Sequence, residues 1–121
     1  MILVDTSVWV DHLRVGEPQL AELLENGLVL IHPFVIGELA LGNLKQRDAV
    51  LGSLAELPRS AVATDSEVLH FIDRNALSGR GIGYVDVHLL AAIRLHGRAR
   101  LWTRDKRLQN AADALNIAHS N

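Results

Sequence analysis

Short apolar runs alternate along the chain with longer segments in which apolar residues recur every three or four positions. Short runs bounded by turn residues are typical of buried strands, and the longer spacing is typical of amphipathic helices. The pattern therefore predicts strands at 1–4, 28–31, 61–63, 99–102 and 117–119.

The starts and ends of the predicted helices follow from capping residues, prolines and glycines. Thr6 and Ser7 are expected to cap the first helix, and Gly16 is expected to end it. Thr64 and Glu67 form a capping-box pattern, with the acid three residues after the hydroxyl. The predicted helices cover about 6–15, 18–26, 33–42, 45–57, 65–77, 84–96 and 104–115.

Strands that are separated by helices predict an α/β fold. We expect three layers, α/β/α, with a central, mostly parallel sheet of four to five strands that helices cover on both faces. A length of 121 residues, 49% of them apolar, fits a single domain over 1–121 with its own core. In such a fold the functional site is expected beyond the carboxyl ends of the strands.

Four acidic residues stand at predicted strand ends or helix starts: Asp5, Glu38, Asp86 and Asp105. Asp5 and Asp105 each follow a predicted strand, so both are expected at the same edge of the sheet. Glu38 and Asp86 lie in apolar helices, and each needs only the correct helical face to join them. Carboxylates that converge repel one another, and a divalent cation would compensate their charge.

Each acid also has an ordinary structural interpretation. Asp5 and Asp105 could be helix N-caps, and Asp86 could be a first-turn residue that the helix dipole favours. Glu38 could form a salt bridge with an arginine. The hydroxyls of Ser7 and Thr103, each two residues from an acid, could orient that acid or a bound water, or could be ordinary cap or strand hydroxyls.

Composition narrows the chemistry. The chain has no cysteine, which excludes disulfides and thiolate metal sites and fits a cytoplasmic protein. No apolar run approaches the roughly 20 residues of a membrane span, and the N-terminus does not have the pattern of a signal peptide. The six histidines show no metal-ligand spacing, so oxygen ligands would favour Mg²⁺ or Mn²⁺ over Zn²⁺.

Positive charge is concentrated within a net charge of −2. Residues 74–107 carry eight Lys or Arg and two acids, whereas residues 1–73 carry four Lys or Arg and eleven acids. The basic segment could attract a polyanion, or it could be a solvated surface. The few aromatic residues make base stacking an improbable main contribution to nucleic-acid binding.

Four segments together resemble the motifs of PIN-domain proteins, and in particular of the small VapC-type ribonuclease toxins of toxin–antitoxin pairs. The segments are Ile2-Leu3-Val4-Asp5-Thr6-Ser7-Val8-Trp9, Val35-Ile36-Gly37-Glu38-Leu39, Asp86-Val87-His88-Leu89-Leu90-Ala91-Ala92 and Leu101-Trp102-Thr103-Arg104-Asp105-Lys106-Arg107-Leu108. They occur in the family's order and span almost the whole chain.

The resemblance implies an Mg²⁺- or Mn²⁺-dependent endoribonuclease that forms a homodimer and is inhibited by a cognate, VapB-like antitoxin. It implies that the metal is bound by Asp5, Glu38, Asp86 and Asp105, of which Asp105 is the least secure because the fourth acid varies in position. Thr103 would then share its task. Arg80, Arg104 and Lys106 are candidates for contacts with the RNA backbone.

Two other classes of function compete with a nuclease. An α/β phosphoacceptor or phosphatase could use Asp5, although Ser7 stands where a dehalogenase-type site would have a second Asp. A non-catalytic RNA- or protein-binding module could keep the acidic cluster for folding alone. Metal binding would separate the enzyme from such a module.

Overall fold

The structure is a computed structural model that describes residues 1–120. It contains strands β1 (Ile2–Val4), β2 (Val29–Leu30) and β3 (Arg100–Trp102). Its helices are α1 (Thr6–Val15), α2 (Pro18–Glu25), α3 (Pro33–Ala40), α4 (Arg47–Ala55), α5 (Asp65–Arg74), α6 (Tyr84–His96) and α7 (Lys106–Ala114). The alternation of strands and helices confirms the predicted α/β class.

The three strands form one parallel sheet in the order β2-β1-β3. β1 lies in the centre, with Leu3 opposite Leu30 on one side and Leu101 on the other. Because parallel strands end at one edge, the residues after β1, β2 and β3 all lie at the carboxyl edge of the sheet.

The expected number of four to five strands was too high. Residues 61–63 form no strand, because the chain leaving α4 pairs with the sheet only at Arg59, which bridges Ile31. The predicted strand at 117–119 is a single parallel bridge between Ala118 and Leu101. Each edge of the sheet is therefore extended by one residue pair rather than by a strand.

Both faces of the sheet are covered, as the predicted layering requires. Successive side chains of a strand point to opposite faces. Leu3 and Val4 of β1 are both fully buried, and so are Leu101 and Trp102 of β3, to within 3% exposure. In α6, every residue from Val87 to Ile93 is buried, so this helix is enclosed by its neighbours.

The helix starts confirm one capping prediction and correct another. The capping box of Thr64 and Glu67 is present at the start of α5. Thr6 and Ser7 do not cap α1, because the helix begins at Thr6 and its N-cap residue is Asp5. No helix within residues 1–120 is long and apolar enough to cross a membrane.

A buried histidine lies two residues after β2 and caps the next helix. His32 is fully buried, and its Nδ1 accepts a hydrogen bond of 3.0 Å from the backbone N–H of Phe34 in the first turn of α3. Burial, with a smaller contribution from His88, lowers the pKa of His32 from 6.5 to about 4. The imidazole is therefore neutral at physiological pH, which is the state that its capping bond requires.

We predict that His32 makes the fold acid-sensitive. In the unfolded chain this residue binds a proton near pH 6.5, whereas in the fold it does so only near pH 4, so folding stability falls as the pH drops through this interval. The loss from His32 is on the order of 3 kcal/mol. Urea denaturation at a series of pH values measures it.

The matched variant is His32→Asn, which keeps a capping acceptor but does not titrate. It is expected to be less stable at neutral pH, because the ring's packing is lost, and to lose less stability on acidification. His119, whose pKa burial and Arg100 also lower, affects both proteins and cancels in the comparison. Equal slopes of stability against pH in the two proteins would contradict the prediction.

Candidate metal centre

Asp5 occupies the centre of the carboxyl edge. It follows β1 directly, is 5% exposed, and its backbone N–H donates to the carbonyl of Trp102 over 2.9 Å. This bond continues the β1–β3 pairing by one residue beyond Val4 and Trp102. Asp5 is consequently held beside Thr103, which follows β3.

Two hydroxyls donate to the same carboxylate oxygen of Asp5. Ser7 Oγ and Thr103 Oγ1 each lie 2.7 Å from Oδ2. Each hydroxyl also accepts a backbone N–H, Ser7 from Arg104 and Thr103 from Asp105, both over 3.0 Å. Since a hydroxyl has one proton, both protons are committed to the carboxylate. Ser7 therefore donates to the acid two residues before it, whereas Thr103 donates to Asp5 and not to the neighbouring Asp105.

The second carboxylate oxygen of Asp5, Oδ1, differs from Oδ2 in its contacts. Among residues 1–120, no group donates a hydrogen bond to Oδ1. A buried carboxylate with one oxygen satisfied and the other without a donor is suited to bind a cation.

Glu38 is brought to the same region by the packing of α1 against α3. Its Oε1 accepts a hydrogen bond of 2.6 Å from Thr6 Oγ1, and the residue itself is exposed. The salt bridge to an arginine that was the ordinary interpretation of Glu38 is absent within residues 1–120.

Thr6 was not predicted as a site residue. Its position next to Asp5 was the available signal, but its contact with Glu38, 32 residues away, depends on how α1 packs on α3. It links the two segments that carry the first and second acids.

Asp86 lies in the first turn of α6 and is half-buried. Its Oδ2 accepts a hydrogen bond of 3.2 Å from the backbone N–H of Gly83, the N-cap residue. The pKa of Asp86 is raised, chiefly by burial, although the Gly83 bond acts in the opposite direction. The remaining causes of the raised pKa are the charges of Asp5, Asp105 and Glu38.

Asp105 is the exposed N-cap residue of α7. Its Oδ1 accepts a hydrogen bond of 2.9 Å from the backbone N–H of Leu108. The capping interpretation of this acid is therefore correct, and its charge nevertheless reaches Asp86. Asp105 can serve the helix with one oxygen and a ligand with the other.

The four predicted acids share one electrostatic environment, but they do not form a closed cage. The charges of the other three all act on Asp86. Within residues 1–120, however, no three Asp, Glu or His side chains stand close enough together to hold a metal ion. A cation bound among these acids would therefore contact at most two carboxylates directly and retain several waters, as Mg²⁺ usually does.

The predicted basic residues have different surroundings. The guanidinium of Arg104 donates to the carboxylates of Asp11 and Glu17, which ties β3's end to α1 and the start of α2. Arg80 and Lys106 are exposed at the same edge, before α6 and at the start of α7. Arg104 is thus engaged within the fold, whereas the other two side chains face solvent.

The sequence of this chain is matched by the model of a known family. The family model of the PIN domain matches residues 2–114. The chain belongs to the PIN-domain family.

Two relatives show to which type within the family this chain is similar, namely the VapC type. Proteins named ribonuclease VapC32, from Mycobacterium tuberculosis strains CDC 1551 / Oshkosh and ATCC 25618 / H37Rv, are each 53% identical to this chain over 118 residues. Each alignment covers 98% of this chain and 95% of the relative. The resemblance seen in the four sequence segments is therefore confirmed.

We predict that the hydroxyl of Thr103 stabilises the fold through Asp5. Thr103→Val keeps the shape but removes a buried donor to a charged group, and a loss of about 2 kcal/mol in the free energy of unfolding is expected. Thr103→Ser, which keeps the hydroxyl, should lose less. Urea denaturation of the three proteins measures the effect, and a Val variant as stable as the wild type would show that the bond is without consequence.

Proposed function

We propose that this chain is a VapC-type endoribonuclease that requires Mg²⁺ or Mn²⁺. It would hydrolyse RNA phosphodiesters at the acidic centre, which consists of Asp5, Glu38, Asp86 and Asp105. The observation that carries the proposal is the buried Asp5 at the carboxyl edge of the sheet, whose described partners are hydroxyls and not cations, and whose charge, with those of Glu38 and Asp105, acts on the half-buried Asp86. Relatives that are 53% identical and are named ribonucleases support the choice of reaction.

The proposed metal ligands are Asp5, Glu38, Asp86 and Asp105. Asp5 presents Oδ1, and Asp86 presents the oxygen that Gly83 does not contact. Glu38 and Asp105 have exposed carboxylates that can contact the ion directly or through water. A divalent cation bound there would neutralise phosphate charge and act as a Lewis acid on the phosphoryl group.

Residues other than the metal ligands have two tasks in this proposal. Ser7 and Thr103 hold the Asp5 carboxylate in one orientation. Arg80 and Lys106, which are exposed, bind the RNA backbone without reading bases. Arg104 can contact RNA only after its salt bridges with Asp11 and Glu17 open.

A VapB-like antitoxin is the proposed inhibitor. A groove between α1, α3 and α4 opens beside Glu38 and is lined by apolar side chains that include Val10, Leu13 and Leu44. An antitoxin segment lying in this groove would block access to the acids.

The proposal also includes a location and an oligomeric state. Because the proposed substrate is cellular RNA, the protein is expected in the cytoplasm. The expected homodimer can be checked by light scattering.

The competing interpretations predict different chemistry. A phosphoacceptor would require Asp5 to attack a phosphoryl donor with Oδ1, since Oδ2 of this residue already accepts hydrogen bonds from two hydroxyls. Incubation with acetyl phosphate would label Asp5 if that interpretation were right. A non-catalytic module would bind RNA without cutting it.

The first prediction from this proposal concerns activity. Asp5→Asn and Asp86→Asn should each lower RNA cleavage by about a hundredfold or more, because each removes a charge that holds the cation. Cleavage of total RNA with Mn²⁺, followed by sequencing of the new RNA ends, measures the change. Addition of a chelator should abolish cleavage by the wild type.

Asp73→Asn is the matched control, since Asp73 is an exposed acid of α5 away from the centre. It should cut RNA at the wild-type rate. Full activity of Asp5→Asn, in a preparation free of wild-type protein, would refute the assignment of the acids.

The second prediction concerns stability. A raised pKa means that the ionised form of Asp86 is disfavoured in the fold, so Asp86→Asn should unfold at a higher temperature than the wild type at neutral pH without metal. Mn²⁺ should raise the unfolding temperature of the wild type more than that of the variant. A thermal shift assay measures both, and an equal response of the two proteins to Mn²⁺ would contradict the metal site.

A further inference from the structure

The side chain of Arg107 lies across the backbone of Gly81. A Cβ atom built on Gly81 would be 2.8 Å from Arg107 Nη1, 3.0 Å from Cδ and 3.2 Å from Cζ. Gly81 also has a φ of +76°, which side chains of L residues rarely adopt. Only glycine therefore gives the guanidinium its present place.

Arg107 sits between the segments that carry two of the acids. It lies in the first turn of α7, two residues after Asp105. Gly81 lies two residues before Gly83, whose N–H donates to Asp86. The guanidinium on Gly81 is therefore placed at the junction of the loop leading to Asp86 and the helix that follows Asp105.

Arg107 differs from Arg104 in its ionic contacts. Within residues 1–120 it takes part in no salt bridge, whereas Arg104 is bound by Asp11 and Glu17. It also occupies the N-terminal turn of α7, which contains no acidic residue and where the helix dipole disfavours a cation. Stability thus gives no reason for an arginine at this position, and binding of an anion does.

We propose that Arg107 binds a backbone phosphate of the RNA next to the acidic centre. We also propose that Gly81 positions Arg107, because the absence of a side chain on Gly81 leaves the space in which the guanidinium lies. A planar guanidinium can donate two parallel hydrogen bonds to one phosphate, which suits a position against Gly81, between the segments that carry Asp86 and Asp105. This inference rests on the proposed function, since it takes RNA as the substrate. It adds a substrate-binding residue and a positioning residue outside the set of metal ligands.

The test is binding of a short, fluorescein-labelled single-stranded RNA of mixed sequence, measured by anisotropy in the presence of a chelator so that cleavage does not compete. Arg107→Ala should weaken binding about tenfold. The slope of log affinity against log salt should become shallower by about 0.7, which corresponds to one phosphate contact on a single strand. Arg107→Lys, which keeps the charge, should retain most of the slope.

Gly81→Ala and Gly79→Ala form a matched pair. Gly79 has nearly the same φ, +75°, but a Cβ there would meet nothing within 4 Å. Both substitutions strain the backbone, and only Gly81→Ala displaces Arg107. Gly81→Ala should therefore weaken RNA binding as Arg107→Ala does, Gly79→Ala should not, and the double variant of Gly81 and Arg107 should bind no more weakly than Arg107→Ala.

A purely structural role of Arg107 predicts the opposite set of results. Arg107→Ala would then lower the unfolding temperature and leave the RNA affinity and its salt slope unchanged, which would overturn the inference. We expect an unfolding temperature equal to or above that of the wild type, because a cation is removed from a helix N-terminus. Should Gly81→Ala fail to fold, Arg107→Ala alone decides.

Failure of this inference and failure of the proposed function are distinguishable. If the wild type cleaves RNA with Mn²⁺ and Arg107→Ala binds RNA equally well, only the inference is wrong. If the wild type does not cleave RNA but loses affinity on Arg107→Ala, the nuclease proposal is wrong and the phosphate contact stands.

Discussion

The parallel pairing of β1 with β3 is the constraint on which the site depends. Val4 lies opposite Trp102, so Asp5 and Thr103 leave the sheet side by side, and the bond from Asp5 N–H to the Trp102 carbonyl fixes that register. A slip of one residue would turn the apolar side chains of β1 to the other face. It would also separate Asp5 from Thr103, so the packing of the core and the orientation of the acid are secured together.

The carboxylates of the acidic centre repel one another. Burial and three neighbouring charges raise the pKa of Asp86, and Asp5 is buried with hydroxyls rather than cations as its described partners. A fold selected for stability alone would separate such groups or pair each with an arginine. Here Arg104 is directed to Asp11 and Glu17, which ties α1 to the end of β3 and leaves the central acids uncompensated.

Several local features could be predicted from the sequence because short-range rules govern them. The apolar run at β1 and the capping box of Thr64 and Glu67 required no knowledge of distant residues. The number of strands could not be predicted from the sequence in the same way. Residues 61–63 have the composition of a weak strand, but the chain that follows α4 pairs with the sheet before them, at Arg59.

The sequence by itself determined the α/β class and the helix-rich layers and singled out the four acids as candidates, because periodicity and the cost of carboxylates among apolar residues are local properties. Tertiary structure alone decided which groups meet. The contact of Thr6 with Glu38, the engagement of Arg104 and the placement of Arg107 on Gly81 join segments that are far apart in the chain. Such contacts depend on helix packing and on strand register, and no local pattern contains either.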